Sequence, residues 1–352
     1  MSAFVDWKLA ARIASAAAGD GPAAMPAGDL GAAGEAAERA VLGYTGLSPS
    51  EPLPKAEWVS RREWAAINLA SMADLIGPAE ERIGASLPER GRGIAVAVAG
   101  RLLAAEIGAL LGFASKRVLG QYEFSPRRPD RPPRLLFVGP NIDAASRQLG
   151  GEPGDVLAWV ALHETTHAAH FAAAPWLRGH IGTLAGELLA GTSVDVSGRE
   201  MLDRARGLIG SDPRATLARI RESDPVSLLA PPAAQATIAE VQATMAAIEG
   251  YAEHVMDAAA TDLAAVVGEL RAAMERRRQN RNPVIRLISW LLGFELKLRQ
   301  YREGKVWADR VAAEAGIATL NEAWRDRVSL PSQAEITDPG AWIARVGVPQ
   351  SA

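Results

Sequence analysis

No cysteine occurs anywhere in the 352-residue chain, so no disulfide staples the fold and no thiolate serves a metal or a nucleophilic reaction. That absence suits a reducing, cytoplasmic setting. Charge of one sign is lacking too: 38 basic against 41 acidic residues leave a net charge of −3, which argues against nucleic acid or an acidic membrane as partner. No long apolar run is free of charge. Ile94 to Ala114 is long enough to span a bilayer, but Arg101 and Glu106 fall near its middle, where each is costly in lipid. It reads as a core helix whose Gly100 and Gly108 permit close contacts, and no stable membrane insertion is expected. The segment Met1 to Gly21 spreads Asp6, Lys8 and Arg12 through alanine-rich sequence, the pattern of an amphipathic helix and not of a signal peptide.

What is present suits a folded core, with 48% hydrophobic and 22% charged residues. Breakers at Gly19 to Gly34 and Ser48 to Pro54 separate helical stretches. The second precedes a helix that opens with the capping-box pattern Ser60-x-x-Glu63 and is expected to stop before Gly77-Pro78. Helix resumes to Leu119, and Pro126 to Pro133 reads as an exposed loop. Arg134 to Val138 is the one convincing strand. Asp155 is placed to cap a mostly buried helix containing Trp159, Val160 and Leu162. Helices follow to about Arg221, then a long one with Ile238, Val241, Met245, Ile248, Ala252 and Val255 at helical spacing. Two more are expected from about Val284 to Tyr301 and Lys305 to Trp324, before a proline-punctuated tail. The run Arg276-Arg277-Arg278 reads as a solvated helix end. The expected class is mainly α with a small β-sheet (α+β).

Three of only five histidines fall within eight residues, His163, His167 and His170, and the first two frame His163-Glu164-Thr165-Thr166-His167. Composition alone predicts roughly 0.008 such pentads in the chain, so the pattern carries information. Four residues apart on a helix, both imidazoles share a face about 6 Å along the axis and reach one zinc ion. Glu164, about 100° round, is suited to hold an attacking water as general base without ligating the metal. A third protein ligand is needed. His170 lies about 10.5 Å beyond His163 along the helix, too far to share one ion with it. The metzincin spacing is absent as well, because Ala173 stands at its third position. His170 reads as a supporting, substrate-side or packing residue.

The better source is Ile248 to Asp257, which resembles the second metal helix of the gluzincins. Glu249-Gly250-x-Ala252 is similar to the Glu-Gly-x-Ala of zinc aminopeptidases, which implies Glu249 as ligand and Glu253 as its supporting carboxylate. The register Glu253-x-x-x-Asp257 fits the thermolysin-like pattern equally on spacing. Gly250 favours the first, because it admits a close backbone.

Further segments resemble one family along most of the chain. They are Val5-Asp6-Trp7-x-Leu9-Ala10, Phe137-Val138-Gly139-Pro140-Asn141-Ile142, Ala174-Pro175-Trp176-Leu177, His254-Val255-Met256-Asp257 and Lys297-x-Arg299-Gln300-Tyr301. The family comprises zinc-dependent hydrolases described as metalloproteases or as associated with deazaflavin coenzyme biosynthesis. The resemblance implies one integrated zincin-like unit over residues 1–352. Its helical part would run to about 120, its metal-site part from about 121 to 330, and its tail over 331–352. It implies one Zn2+ ion and hydrolysis of a peptide or small amide bond, with a metal-stabilised scaffold or coenzyme-linked binding protein as the alternative. Tyr251, Tyr301 and His254 are the oxyanion-donor candidates, and the edge of the Leu135 to Val138 strand is a place for an extended peptide to pair.

Overall fold

The computed structural model describes residues 4–19, 28–86, 94–128, 131–149, 153–191, 232–260 and 294–347. The helices expected from 192 to 221, the arginine run at 276–278 and the start of the Val284 helix lie outside them. Two compact units divide the chain, Met1–Gly182 with Val255–Met274, and Thr183–His254 with Glu275–Ala352.

The first unit holds α1 (Trp7–Ala18), α2 (Leu30–Thr45), β1 (Ala56–Val59), α3 (Arg61–Ser86) and α4 (Ile94–Ser115). There follow β2 (Gly120–Glu123), β3 (Arg134–Val138), α5 (Gly139–Leu149), α6 (Pro153–Ala173) and the start of α7 (Trp176–Gly191). The three strands form one sheet in the order β1-β3-β2, with β1 parallel and β2 antiparallel to β3. Leu135 to Val138 are at most 3% exposed, the enclosure that a continuous apolar run records. Leu136 and Val138 join Val59, Trp64, Leu69, Ile107 and Leu111 in a core that also takes Ala10 and Ala14 of α1. Because β3 is paired on both sides, the expectation that a peptide adds to its edge is overturned. The outer edges belong to β1 and β2.

Two helices depart from the sequence reading for physical reasons. The Ser60–Glu63 capping box forms as expected, with reciprocal bonds of 3.1 and 2.7 Å, but α3 runs on through Pro78 to Ser86. The turn beyond the proline is anchored by Glu80, whose carboxylate accepts the Val5 N–H at 2.6 Å and the Trp7 indole N–H at 3.2 Å. Those tertiary bonds offset the hydrogen bond that proline removes. In α6, Pro153 opens the helix and Asp155 lies in the first turn, not at the N-cap. There its carboxylate still meets the positive end of the helix dipole.

Residues Ala97–Ser115 are long and apolar enough to cross a membrane by length and composition. In this structure α4 packs one face on α1 backbone to backbone. A Cβ on Gly100 would lie 2.0 Å from the Phe4 carbonyl oxygen, and one on Gly108 would lie 2.5 Å from that of Ala10. The opposite face leaves Val98 and Leu102 about half exposed, so the expected core helix is buried on one side only.

The second unit contains most of α8 (Pro232–Ala259), together with α9 (Phe294–Asn321), α10 (Gln333–Thr337) and α11 (Pro339–Val346). The last turn of α8 is assigned to the first unit. Where a break between two helices was expected at Tyr301 to Lys305, α9 is continuous, and its kink falls at Gly316 (φ 84°, ψ 163°). The proline-punctuated tail is ordered. Ser332 and Glu335 form a capping box on α10, Asp338 caps α11, and the Trp342 indole donates to the Ser329 carbonyl at 2.9 Å.

Helices α8 and α9 cross through two glycines. A Cβ on Gly250 would lie 2.1 Å from the Gly304 carbonyl, and one on Gly304 would lie 1.9 Å from the Ala246 oxygen. No L side chain fits there without parting the helices. Gly304→Ala is therefore expected to destabilise the protein by about 1–3 kcal/mol through overpacking, read as a lower urea midpoint. An unchanged midpoint would show that the crossing separates without loss.

Candidate metal centre

Helix α6 is buried on nearly every side: Val156, Leu157, Val160, Ala161, Ala168, Ala169 and Ala172 are at most 3% exposed. It packs against α2, α5 and the sheet. At its C-terminal end the Ala172 carbonyl accepts both the N–H and the hydroxyl of Ser50, at 2.9 and 2.8 Å, which satisfies an otherwise orphaned acceptor. The helix is thus fixed along its length. One turn of it sets His163 and His167 with their Nε2 atoms 3.3 Å apart and their rings nearly perpendicular, at 89°.

Burial decides the electrostatics of this turn. His167 is pushed down to about 4 by loss of solvent, so at neutral pH its ring is uncharged and its lone pair available to a cation. His170 is wholly enclosed and is held well below the ordinary histidine value, first by burial and then by His167. His170 has no accessible surface, which speaks against the substrate-side role considered for it. Glu164 is 8% exposed, and its Oε2 accepts the backbone N–H of Tyr122 on β2 at 2.9 Å.

The carboxylate that joins the two imidazoles is Glu249, on α8. His163, His167 and Glu249 each offer a ligand atom, and these atoms lie within 4.8 Å of one another. Glu253 and Asp257 follow one and two turns later on α8, both half-buried. His254 has a carboxylate partner: its Nδ1 lies 2.8 Å from Asp309 Oδ1, while Lys305 donates to Asp309 Oδ2 at 2.6 Å. Burial raises the Asp309 pKa, but the bonds from His254 and Lys305, and their charge, outweigh it and hold the carboxyl below its usual value.

Tyr251 does not supply an oxyanion donor. It is fully buried, its hydroxyl donates to Asn321 Oδ1 at 2.8 Å, and its ring packs edge-on against Trp324. Tyr301 lies on α9, and its side chain is outside the described residues. Sequence reasoning missed Gly120, Tyr122, Asp309 and Asn321. Only a Lys305-x-x-x-Asp309 helical pair hinted at one of them, and nothing in it pointed to His254.

Two imidazole nitrogens about 2.1 Å from one tetrahedral ion lie about 3.4 Å apart, and the observed 3.3 Å matches that edge. Two nitrogens and one oxygen, with no sulfur, are the donors of hydrolytic zinc sites and not of closed structural ones. The donor set and its spacing thus fit a zinc ion held on a His-Glu-x-x-His helix. The chain matches the zincin-like metallopeptidase family over residues 5–343 and belongs to it, and membership implies zinc. It is also similar to a Chloroflexus aurantiacus protein whose crystal structure is described as a candidate hydrolase with a novel fold. The two share 29% identity and a TM-score of 0.70 over 97% of this chain and 98% of that one. A comparison with curated proteins found no match.

Burial of His167 makes the metal-free protein pH-sensitive. Its folded pKa of about 4 lies below the ordinary 6.5, so between those values the unfolded chain binds the proton and the folded one does not. Stability is greatest above about pH 6.5 and falls toward pH 4, by about 3 kcal/mol from this residue. His170, shifted the same way, steepens the fall. Denaturant midpoints in the presence of a chelator check this, and a flat profile from pH 7 to 4 would contradict it.

Proposed function

We propose that the protein is a zinc-dependent hydrolase that cleaves a peptide or small amide bond, with His163, His167 and Glu249 holding one zinc ion and Glu164 as general base. The observation that carries the reading is the grouping of two imidazoles and a carboxylate within 4.8 Å, with a buried glutamate next in sequence to the first imidazole. Zinc bound there would supply a Lewis acid able to acidify a water and polarise a carbonyl oxygen. Glu164 takes the proton of the attacking water and returns it to the leaving nitrogen, so one bond to water oxygen forms as the carbon–nitrogen bond breaks. Glu253 and Asp257, on the same helix as Glu249, support the ligands.

Of the oxyanion donors considered, Tyr251 is committed to Asn321, and His254 is the one we assign. Its bond to Asp309 engages Nδ1 and fixes the orientation of the ring. Glu164 also argues against a scaffold role, since a closed structural zinc site has no use for a base.

Glu164→Gln is expected to keep one zinc per chain and to lose about 10²–10⁴-fold in kcat on a fluorogenic peptide pool. Full activity with metal retained would remove Glu164 as base. Glu249→Ala is expected to weaken zinc binding by more than the roughly 10–100-fold typical of losing a supporting partner, measured by competition with a chelator. Undiminished affinity would return Glu253 to consideration as ligand.

A further inference from the structure

Helix α6 places the backbone of Glu164, but a glutamate side chain has three torsions and sweeps several ångströms. Strand β2 removes that freedom. The Val138 N–H donates to the Leu119 carbonyl at 2.8 Å, and with the register Gly120↔Phe137 and Tyr122↔Leu135 the alternation of an antiparallel ladder follows. Leu119, Gln121 and Glu123 turn their main-chain groups toward β3, while Gly120 and Tyr122 turn theirs away. The outward N–H of Tyr122 is the group that meets Glu164 Oε2 at 2.9 Å, with both residues 8% exposed. A bond from an amide to a buried carboxylate is charge-assisted and strong. The Tyr122 ring, stacked on Phe171 of α6 at 5.3 Å, ties the donor to the helix that carries the acceptor.

Gly120 makes the second contribution. A Cβ there would lie 2.6 Å from Glu164 Cγ and 2.7 Å from Val160 Cγ1. Its φ is not among the positive ones, which fall at Gly19, Gly28, Gly46 and Gly316. The glycine is therefore required for space and not for backbone conformation.

Resting on the reading of Glu164 as general base, we propose that β2 is its positioning element. The Tyr122 backbone N–H pins one carboxylate oxygen, and the bare Cα of Gly120 forms the slot in which the glutamate stem lies. Gly120 and Tyr122 act through Glu164 and are positioning residues.

The test uses three full-length variants. Gly120→Ala fills the slot. Tyr122→Pro deletes the donor, which faces away from β3 and so is not needed by the sheet. Gly43→Ala, on α2 with nothing within 4 Å of the added carbon, controls for loss of a glycine. Crystal structures of the metal-free proteins are expected to show Glu164 displaced from residue 122 in the first two variants, with His163 and His167 unmoved. With one zinc per chain and KM nearly unchanged, kcat is expected to fall roughly 10–100-fold in both, and Gly43→Ala to match the parent. A Glu164 carboxylate still bonded to Tyr122 in Gly120→Ala, or parental kcat in folded, zinc-loaded variants, would overturn the proposal. A parent protein that hydrolyses no peptide, or a fully active Glu164→Gln, would instead defeat the base assignment. The structures would still decide whether β2 places this side chain.

Discussion

Two imidazole nitrogens held 3.3 Å apart by one turn of α6 are the constraint around which the chemistry is arranged. The spacing comes from helical rise together with the two ring rotamers, so it persists only while that turn stays helical and its rings keep those rotamers. The surroundings secure both. Alanines and branched residues enclose α6, Ser50 closes its C-terminal carbonyl, and the same enclosure leaves His167 uncharged. Burial that keeps two histidines neutral opposes folding in acid, and in return it presents a lone pair to a cation at neutral pH.

Missing side chains matter in this structure as much as those present. Gly100 and Gly108 bring α4 onto the backbone of α1, Gly250 and Gly304 let α8 and α9 touch, and Gly120 admits the stem of Glu164. None of these five glycines has a positive φ, so each serves close approach and not an unusual backbone. Gly250 also adjoins Glu249, which ties the position of that carboxylate to the crossing with Gly304.

Much of this was legible in the chain because the relevant geometry is local. Helical periodicity alone relates His163, Glu164 and His167, and it places Glu249 one turn before Glu253 on α8. β3 was legible because burial on both faces writes itself as an unbroken apolar run. What escaped depends on distant partners. β1 and β2 are only four residues each, too short to carry a pattern of their own, and it is pairing with β3 that makes them strands. The continuation of α3 past Pro78 needs Glu80 to find Val5 and Trp7. The Asp309 partner of His254 lies 55 residues away. Tyr251 looked suited to the site by proximity in sequence, but its ring is buried against Trp324 and its hydroxyl serves Asn321.

The enclosure of β3 reaches beyond catalysis. Its amides are bonded to strands on both sides and roofed on both faces, so no local fraying releases them to solvent. Deuterium enters at Leu136 and Phe137 only when the surrounding fold opens as a whole. Those two positions thus serve as a built-in gauge of the first unit's cooperative stability, readable with or without a cation in place.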